Sequence, residues 1–209
     1  MNKKTLIVAV ALVAQVVAIC WLIWRYERIV SQGKEVRFAC QAYDPYDPLR
    51  GRYLRVQVQQ ECTNVAFNIE KDNGIVWGCR KEMAVRIEPA ASNGLWKVVE
   101  IAEQSANDGV WLNGRTVYFN YRLRWSDRLD KELTEDFEAR RKASGVIARV
   151  DMPDQLFLNE KLAPEAERVL WKATGKSAVA VYRVLDGEIV ITDIEIDGKP
   201  IAQLVKEQK

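Results

Sequence analysis

The chain contains no histidine among its 209 residues. That absence removes the Ser-His-Asp and Cys-His routes to an activated nucleophile. It also removes the usual His-bearing zinc sites. Cysteine is sparse: Cys20, Cys40, Cys62 and Cys79 are all there are. None stands in C-x-x-C spacing, so no dithiol redox or zinc motif is written into the chain. A surplus of one charge is missing as well. The 31 Lys and Arg against 29 Asp and Glu leave a net charge of +2. A nucleic-acid binder carries a basic patch or stripe, so no nucleic-acid partner is expected. Low-complexity segments and fixed-period repeats are absent, and no motif points to a cofactor.

Long hydrophobic runs are scarce too, and the single one is informative. From Thr5 to Trp24 only Thr5 and Gln15 are polar. Twenty helical residues reach about 30 Å, the thickness of a bilayer's hydrocarbon core. Trp21, Trp24 and Tyr26 sit at its far end, where an aromatic belt belongs. Lys3 and Lys4 precede it, and Arg25, Glu27 and Arg28 follow. The short basic tail and the long following domain favour a cytoplasmic N-terminus and an extracytoplasmic remainder. A cleaved signal peptide is the rival reading, but Trp and Arg crowd the place where small residues would mark cleavage. A lipoprotein signal needs a small residue before its cysteine, and Ile19 precedes Cys20.

Beyond the anchor and its flanks (1–30), roughly 175 residues remain, enough for a core of their own. They read as a β-rich subdomain (31–125) and a helix plus β-hairpin subdomain (126–209) packed on it. Ser31 to Lys34 reads as a short linker and Glu35 to Ala42 as the first strand. Tyr53 to Gln59 alternates, with Leu54, Val56 and Val58 on one face. Asn64 to Glu70 and Ile75 to Arg80 flank Asn73-Gly74, a hairpin signal. Met83 to Glu88 is a strand, and Leu95 to Glu103 another with Trp96, Val98 and Glu100 on one face. Val110 to Leu112 and Thr116 to Trp125 form a second hairpin across Asn113-Gly114. Ser126 caps a helix from Asp127 to Lys142 with a Leu129, Leu133, Phe137 stripe. Val146 to Val150 is a short strand. Pro164 to Thr174 is a second helix whose apolar side is Val169, Leu170 and Trp171. Lys176 to Leu185 and Glu188 to Ile196 close the chain as a hairpin across Asp186-Gly187. The expected fold is mainly β with two helices (α+β): an N-terminal transmembrane helix, then an antiparallel meander and hairpin domain. In an exported domain one disulfide among Cys40, Cys62 and Cys79 is allowed, and spacing leaves reduced thiols equally open.

The stretch before the second strand, Y-D-P-Y-D-P-L-R-G-R-Y, is the candidate site. Pro45 and Pro48 fix φ and push Asp44 and Asp47 toward extended backbone. The result is a stiff loop with charges of both signs, and a stiff loop binds at low entropic cost. Tyr43, Asp44, Asp47, Arg50, Arg52 and Tyr53 are its candidate interaction residues. Asp44 and Asp47 can also be read as an acid/base pair or as metal ligands, although Asp before Pro has a purely conformational use. The aromatic strand around Tyr118, Phe119, Tyr121 and Trp125 can stack a sugar or peptide, or simply fill the core.

The segment D-P-L-R-G followed by Tyr53, Val56 and Val58 resembles the GDYXXLXY family of bacterial membrane-anchored proteins. Gly51 and Tyr53 match its Gly-Asp-Tyr-x-x-Leu-x-Tyr signature. Arg52 replaces its Asp, and Val56 and Val58 replace its Leu and last Tyr. The hairpin near Asn73-Gly74 is similar to the family's, as is the closing G-K-S-A-V-A-V-Y-R-V-L-D-G-E-I-V-I-T-D-I-E-I-D-G-K-P-I. The resemblance implies a bacterial inner-membrane protein acting beside a multi-pass membrane partner. It implies no reaction and no cofactor. The competing class is a histidine-free periplasmic hydrolase, either carboxylate-based or a serine–lysine peptidase. Signal-peptidase-like enzymes carry their serine in a Ser-Met-x-Pro loop after the anchor, and here that region supplies only Ser31.

Overall fold

The computed structural model describes residues 3–42, 53–58, 60–62, 65–66, 80–90, 94–121, 146–159, 162–173 and 178–207. A 30-residue helix α1 (Lys3–Gln32) leads into β1 (Lys34–Ala39), β2 (Gln41–Ala42), β3 (Tyr53–Gln57), β4 (Glu61–Cys62) and β5 (Val65–Ala66). Then come β6 (Arg80–Pro89), β7 (Trp96–Ala102), β8 (Val110–Tyr121), β9 (Val146–Val150) and β10 (Gln155–Phe157). Helix α2 (Ala163–Lys172), β11 (Ala178–Leu185), β12 (Glu188–Ile196), β13 (Lys199–Pro200) and α3 (Ile201–Glu207) complete the order. The protein is therefore β-rich with three helices among the described residues. Helix α3 was not expected from the sequence. The expected helix over 127–142, the Asn73-Gly74 hairpin and the whole Tyr43–Arg52 loop lie outside the described residues.

Three sheets form, with strand orders β1-β11-β12-β13, β10-β3-β2 and β4-β9-β8-β6-β7-β5. Each draws strands from both sides of residue 125. All described pairings are antiparallel except β5 with β7. One apolar core joins the sheets. Val36 and Phe38 of β1, Leu54 and Val56 of β3, Met83, Val85 and Ile87 of β6, and Ile194 of β12 are all buried in it. Phe38 meets Tyr182 edge-on at 5.8 Å, and the Tyr182 hydroxyl donates to the Pro153 carbonyl at 2.7 Å. A buried phenol thus has its partner, as burial requires. Helix α2 buries Ala166, Val169 and Leu170. Trp171, expected beside them, is instead exposed. It lies on the far side of a helix only ten residues long.

Three β-bulges explain where simple alternation misreads the sheets. In β12, Val181 faces Asp193 but Tyr182 faces Ile191, so one extra residue is accommodated. Ile189 and Ile191 are buried before the bulge, and Ile194 and Ile196 after it. The inward phase changes from odd to even numbers, as a bulge demands. In β7 the partners step from Arg86–Glu100 to Ile87–Val98. Ile101 therefore joins Val98 inside, and Glu100, expected on that face, does not. In β8 the partners step from Met83–Arg115 to Val85–Leu112. Asn113-Gly114 is the insertion, with Gly114 at φ 59°. The expected second hairpin is thus one continuous strand with a glycine bulge.

The Asp186-Gly187 turn does join β11 to β12. Both residues have positive φ, 52° and 82°, the signature of the hairpin turn that matches strand twist. Asp197-Gly198 repeats the device between β12 and β13, with φ 51° and 78°. At Gly187 a Cβ would fall 2.3 Å from Asn113 Nδ2. Replacing Gly187 with Val should cost about 1–3 kcal/mol from backbone conformation alone. A lower melting temperature of the domain beginning at Ser31 is expected, and an unchanged one would refute this packing.

Cys40 is a buried free thiol, so the disulfide left open by spacing does not engage it. The side chains of Cys62 and Cys79 lie outside the described residues. Burial pushes the Cys40 thiol from 9.0 up to about 12. Tyr182 is pushed up as well, first by burial and then by Cys40 and Asp154. Both groups are neutral in the fold below pH 9, so their contribution is intact there. It is lost as pH rises from 9.0 toward about 12, because the unfolded chain ionises first. The melting temperature should fall through that window, and Cys40→Ala should make the fall shallower. Identical slopes in both proteins would contradict the assignment.

Candidate functional site

The structure brings three separate sequence elements together where α1 meets the sheets. Helix α1 passes into β1 through one residue, Gly33. Its N–H donates to the Ile29 carbonyl at 2.9 Å, and Arg183 Nη1 donates to the Gly33 carbonyl at 3.2 Å. A Cβ at Gly33 would stand 2.3 Å from the Ile29 oxygen, so glycine is required by space. The linker expected over Ser31 to Lys34 is therefore a closed joint. Ser31 ends the helix, its hydroxyl donating to the Glu27 carbonyl at 2.7 Å. That back-bond employs the one serine a peptidase reading could use.

Two charged pairs fix the helix to the β11–β12 turn. Arg25 forms a two-pronged pair with Glu188, Nε donating to Oε2 at 3.0 Å and Nη2 to Oε1. Arg28 Nη2 donates to Asp186 Oδ2 at 3.0 Å. The same arginines stack over Trp21 and Trp24, at 5.3 and 5.9 Å from the ring centres. Ile29 is buried at the joint. From the other side the bulge in β8 reaches the same turn, the Asn113 N–H donating to the Gly187 carbonyl at 2.8 Å. An open groove of about 610 Å³ lies between helix, turn and bulge.

One groove residue departs from the pattern of paired charges. Arg115 follows the bulge, is half-buried, and has a buried Nε with no partner. Burial pulls its guanidinium below the ordinary arginine range, while Asp151 and Glu82 act in the opposite sense. Desolvating a cation without a matching acceptor is unfavourable. No part of this junction was named as a site from the sequence. The signal lay in two Gly-containing turn dipeptides and in Arg25 and Arg28, each legible singly but not as neighbours.

Of the candidate interaction residues, Tyr43, Asp44, Asp47, Arg50 and Arg52 lie outside the described residues. Tyr53 is described. It begins β3, half-buried, opposite Phe157 in the register, with ring centres 6.0 Å apart. Phe157 is 71% exposed, so this pair forms an aromatic ledge where the loop rejoins the sheet. Arg55 Nε donates to Asp154 Oδ2 at 2.5 Å, and the Val56 N–H donates to the Asp154 carbonyl at 2.9 Å. Both contacts pin the strand that carries the ledge. Half-buried Tyr118 lies under the exposed Arg80 guanidinium at 5.6 Å. Among the described residues no three Cys, Asp or Glu side chains gather as a metal cage.

The ion pairs at the joint are half exposed, with side chains 46% and 39% accessible for Arg25 and Glu188. Exposed pairs of this kind contribute about 0–1 kcal/mol. Their expected role is orientation. Spin labels at Ile23 and Lys97 of the full chain in nanodiscs should give a narrow distance distribution. Arg25→Glu with Arg28→Glu should broaden it while lowering the melting temperature little. A distribution unchanged by the double substitution would mean that Gly33 and Ile29 alone set the angle.

Helix α1 provides one candidate span, Leu6–Gln32, with mean hydropathy 2.8 and none of its apolar window buried inside the protein. It is thus long and apolar enough to cross a membrane. Comparison with curated proteins and with solved structures returned no match. The family described as GDYXXLXY protein matches residues 15–194, from within α1 to the late part of β12. Within that span Val56 of β3 and Val58 just after it are buried, so both are core positions. The match covers most of the chain, and the chain belongs to the GDYXXLXY family.

Proposed function

We propose that the protein is an extracytoplasmic accessory domain held on the bacterial inner membrane by α1 and acting beside a multi-pass membrane protein. The observation that carries this is the one-residue joint at Gly33, braced by Arg25–Glu188 and Arg28–Asp186. A tethered domain needs only a flexible linker. A closed joint sets the angle between helix and sheets, which matters when a surface must meet a partner embedded in the same bilayer. The surface we assign to that partner is the segment of Asp44, Asp47, Arg50 and Arg52 that precedes Tyr53 in the chain, together with the Tyr53–Phe157 ledge. The short basic tail before the helix supports a cytoplasmic N-terminus.

The test has two arms. Full-length protein should stay with bacterial membranes through an alkaline carbonate wash, and the chain beginning at Ser31 should be soluble. Protease added to spheroplasts should digest residues beyond Gln32. Release by the wash, or protection of the domain, would overturn the anchor or its orientation. Asp44→Asn with Asp47→Asn should shift stability by no more than about 1 kcal/mol, as exposed charges do. It should nevertheless abolish co-purification of a multi-pass protein from detergent extracts. A large loss of stability would make the loop structural, and an unaffected partner would remove it from the interface.

A further inference from the structure

The groove between α1, the Asp186-Gly187 turn and the β8 bulge has a chemistry that the paired charges around it do not use. On the helix side it is walled by Leu22, Tyr26 and Ile29, apolar surface that continues into the membrane-length span. Trp21 and Trp24 flank this level, as aromatic residues do where hydrocarbon gives way to headgroups. The opposite wall supplies Arg115, a planar fork of donors whose buried Nε has no hydrogen-bond partner among the described residues. Guanidinium groups match phosphate oxygens two at a time. Acidic groups are close as well. Asp151 and Glu82 act on Arg115, and Asp186 and Glu188 line the groove. Glu188 gives both oxygens to Arg25, whereas Arg28 engages only Oδ2 of Asp186. That leaves the second Asp186 oxygen for a cation. The lining thus carries charges of both signs, Arg25 and Arg115 with Asp186 and Glu188, and a headgroup with charges of both signs is complementary to it.

We propose that this groove seats a membrane phospholipid with a zwitterionic, primary-ammonium headgroup of the phosphoethanolamine type, its phosphate on Arg115 and its ammonium toward Asp186. The inference rests on the reading of α1 as a membrane anchor. The acyl chains run along the Leu22 side of α1 into the bilayer. A primary ammonium donates three hydrogen bonds, as a lysine ammonium does, whereas a choline headgroup has no N–H to donate. The lipid would act as a wedge in the joint, filling space between anchor and domain and giving the half-buried guanidinium its acceptor.

The experiment is native mass spectrometry of the full-length protein in detergent. Phosphatidylethanolamine, phosphatidylcholine, phosphatidylglycerol and inorganic phosphate are titrated separately. Phosphatidylethanolamine should be retained about tenfold more strongly than either other lipid, the scale of one charge-assisted hydrogen bond. Arg115→Gln and Asp186→Asn should each remove that preference. Asn tolerates the positive φ of position 186, so the second variant keeps the turn if the first disturbs the sheet. Equal retention of the three lipids, preference for phosphatidylglycerol, saturation by inorganic phosphate alone, or a preference untouched by both variants would overturn the proposal. So would a bound polypeptide occupying the groove in place of lipid. Release of the chain by an alkaline wash would instead defeat the anchor reading, while a wash-resistant protein without lipid preference defeats only this inference.

Discussion

The tip of the β11–β12 hairpin is the point on which the rest of the structure hangs. Asp186 and Gly187 both sit at positive φ, and three elements converge on them. Arg25 and Arg28 arrive from the apolar helix. Asn113 arrives from the long strand β8. The hairpin behind the tip pairs with β1, the strand that α1 itself feeds through Gly33. One turn therefore ties the apolar helix, the four-stranded sheet and the six-stranded sheet. None of these ties is strong alone, since exposed ion pairs and single backbone bonds are each worth about 1 kcal/mol. They act together because the geometry of Gly33 leaves the helix no other exit.

Much of this fold was legible in the sequence because strands advertise themselves through alternation. Val146–Val150 and Glu188–Ile196 fall at their expected bounds, and Leu54 and Val56 point inward as their spacing says. The misreadings share one physical cause. A bulge adds a residue to one strand without changing its neighbours, so a period-2 pattern changes phase in mid-strand. Asn113-Gly114 looks like a hairpin turn for the same reason that it makes a good bulge, because both need glycine at positive φ. Only the partner strand decides between them, and pairing with Met83 and Val85 on either side is a tertiary fact. The helix α3 is short, and seven residues give periodicity too little room to speak.

The site was less legible than the fold. A stiff, charged loop draws attention in a sequence because prolines and paired aspartates are local features. The junction at the hairpin tip is assembled from positions about 90 and 160 residues away from the helix end, so no local pattern could announce it. Arg115 is the clearest case. In the sequence it is one basic residue after an Asn-Gly. In the structure it is a half-buried cation beside a groove, its buried Nε without a hydrogen-bond partner among the described residues.

Rigid attachment and an unfilled groove are two consequences of one arrangement. Only Gly33 separates α1 from β1, its N–H bonded to the Ile29 carbonyl, so the end of α1 is held beside the sheet. Leu22 and Tyr26 then face the hairpin across the open groove, with Ile29 buried at its closed end. A flexible linker would let the apolar surfaces collapse together and bury themselves, which hydrophobic surface does wherever the chain allows it. Here the ion pairs of Arg25 and Arg28 hold the two walls in place. The groove can be widened or narrowed only by tilting the whole helix, since its other wall is part of two sheets. An occupant that fits the open groove would therefore hold the angle between the apolar helix and the domain, and that angle sets where the Tyr53–Phe157 ledge stands relative to the helix.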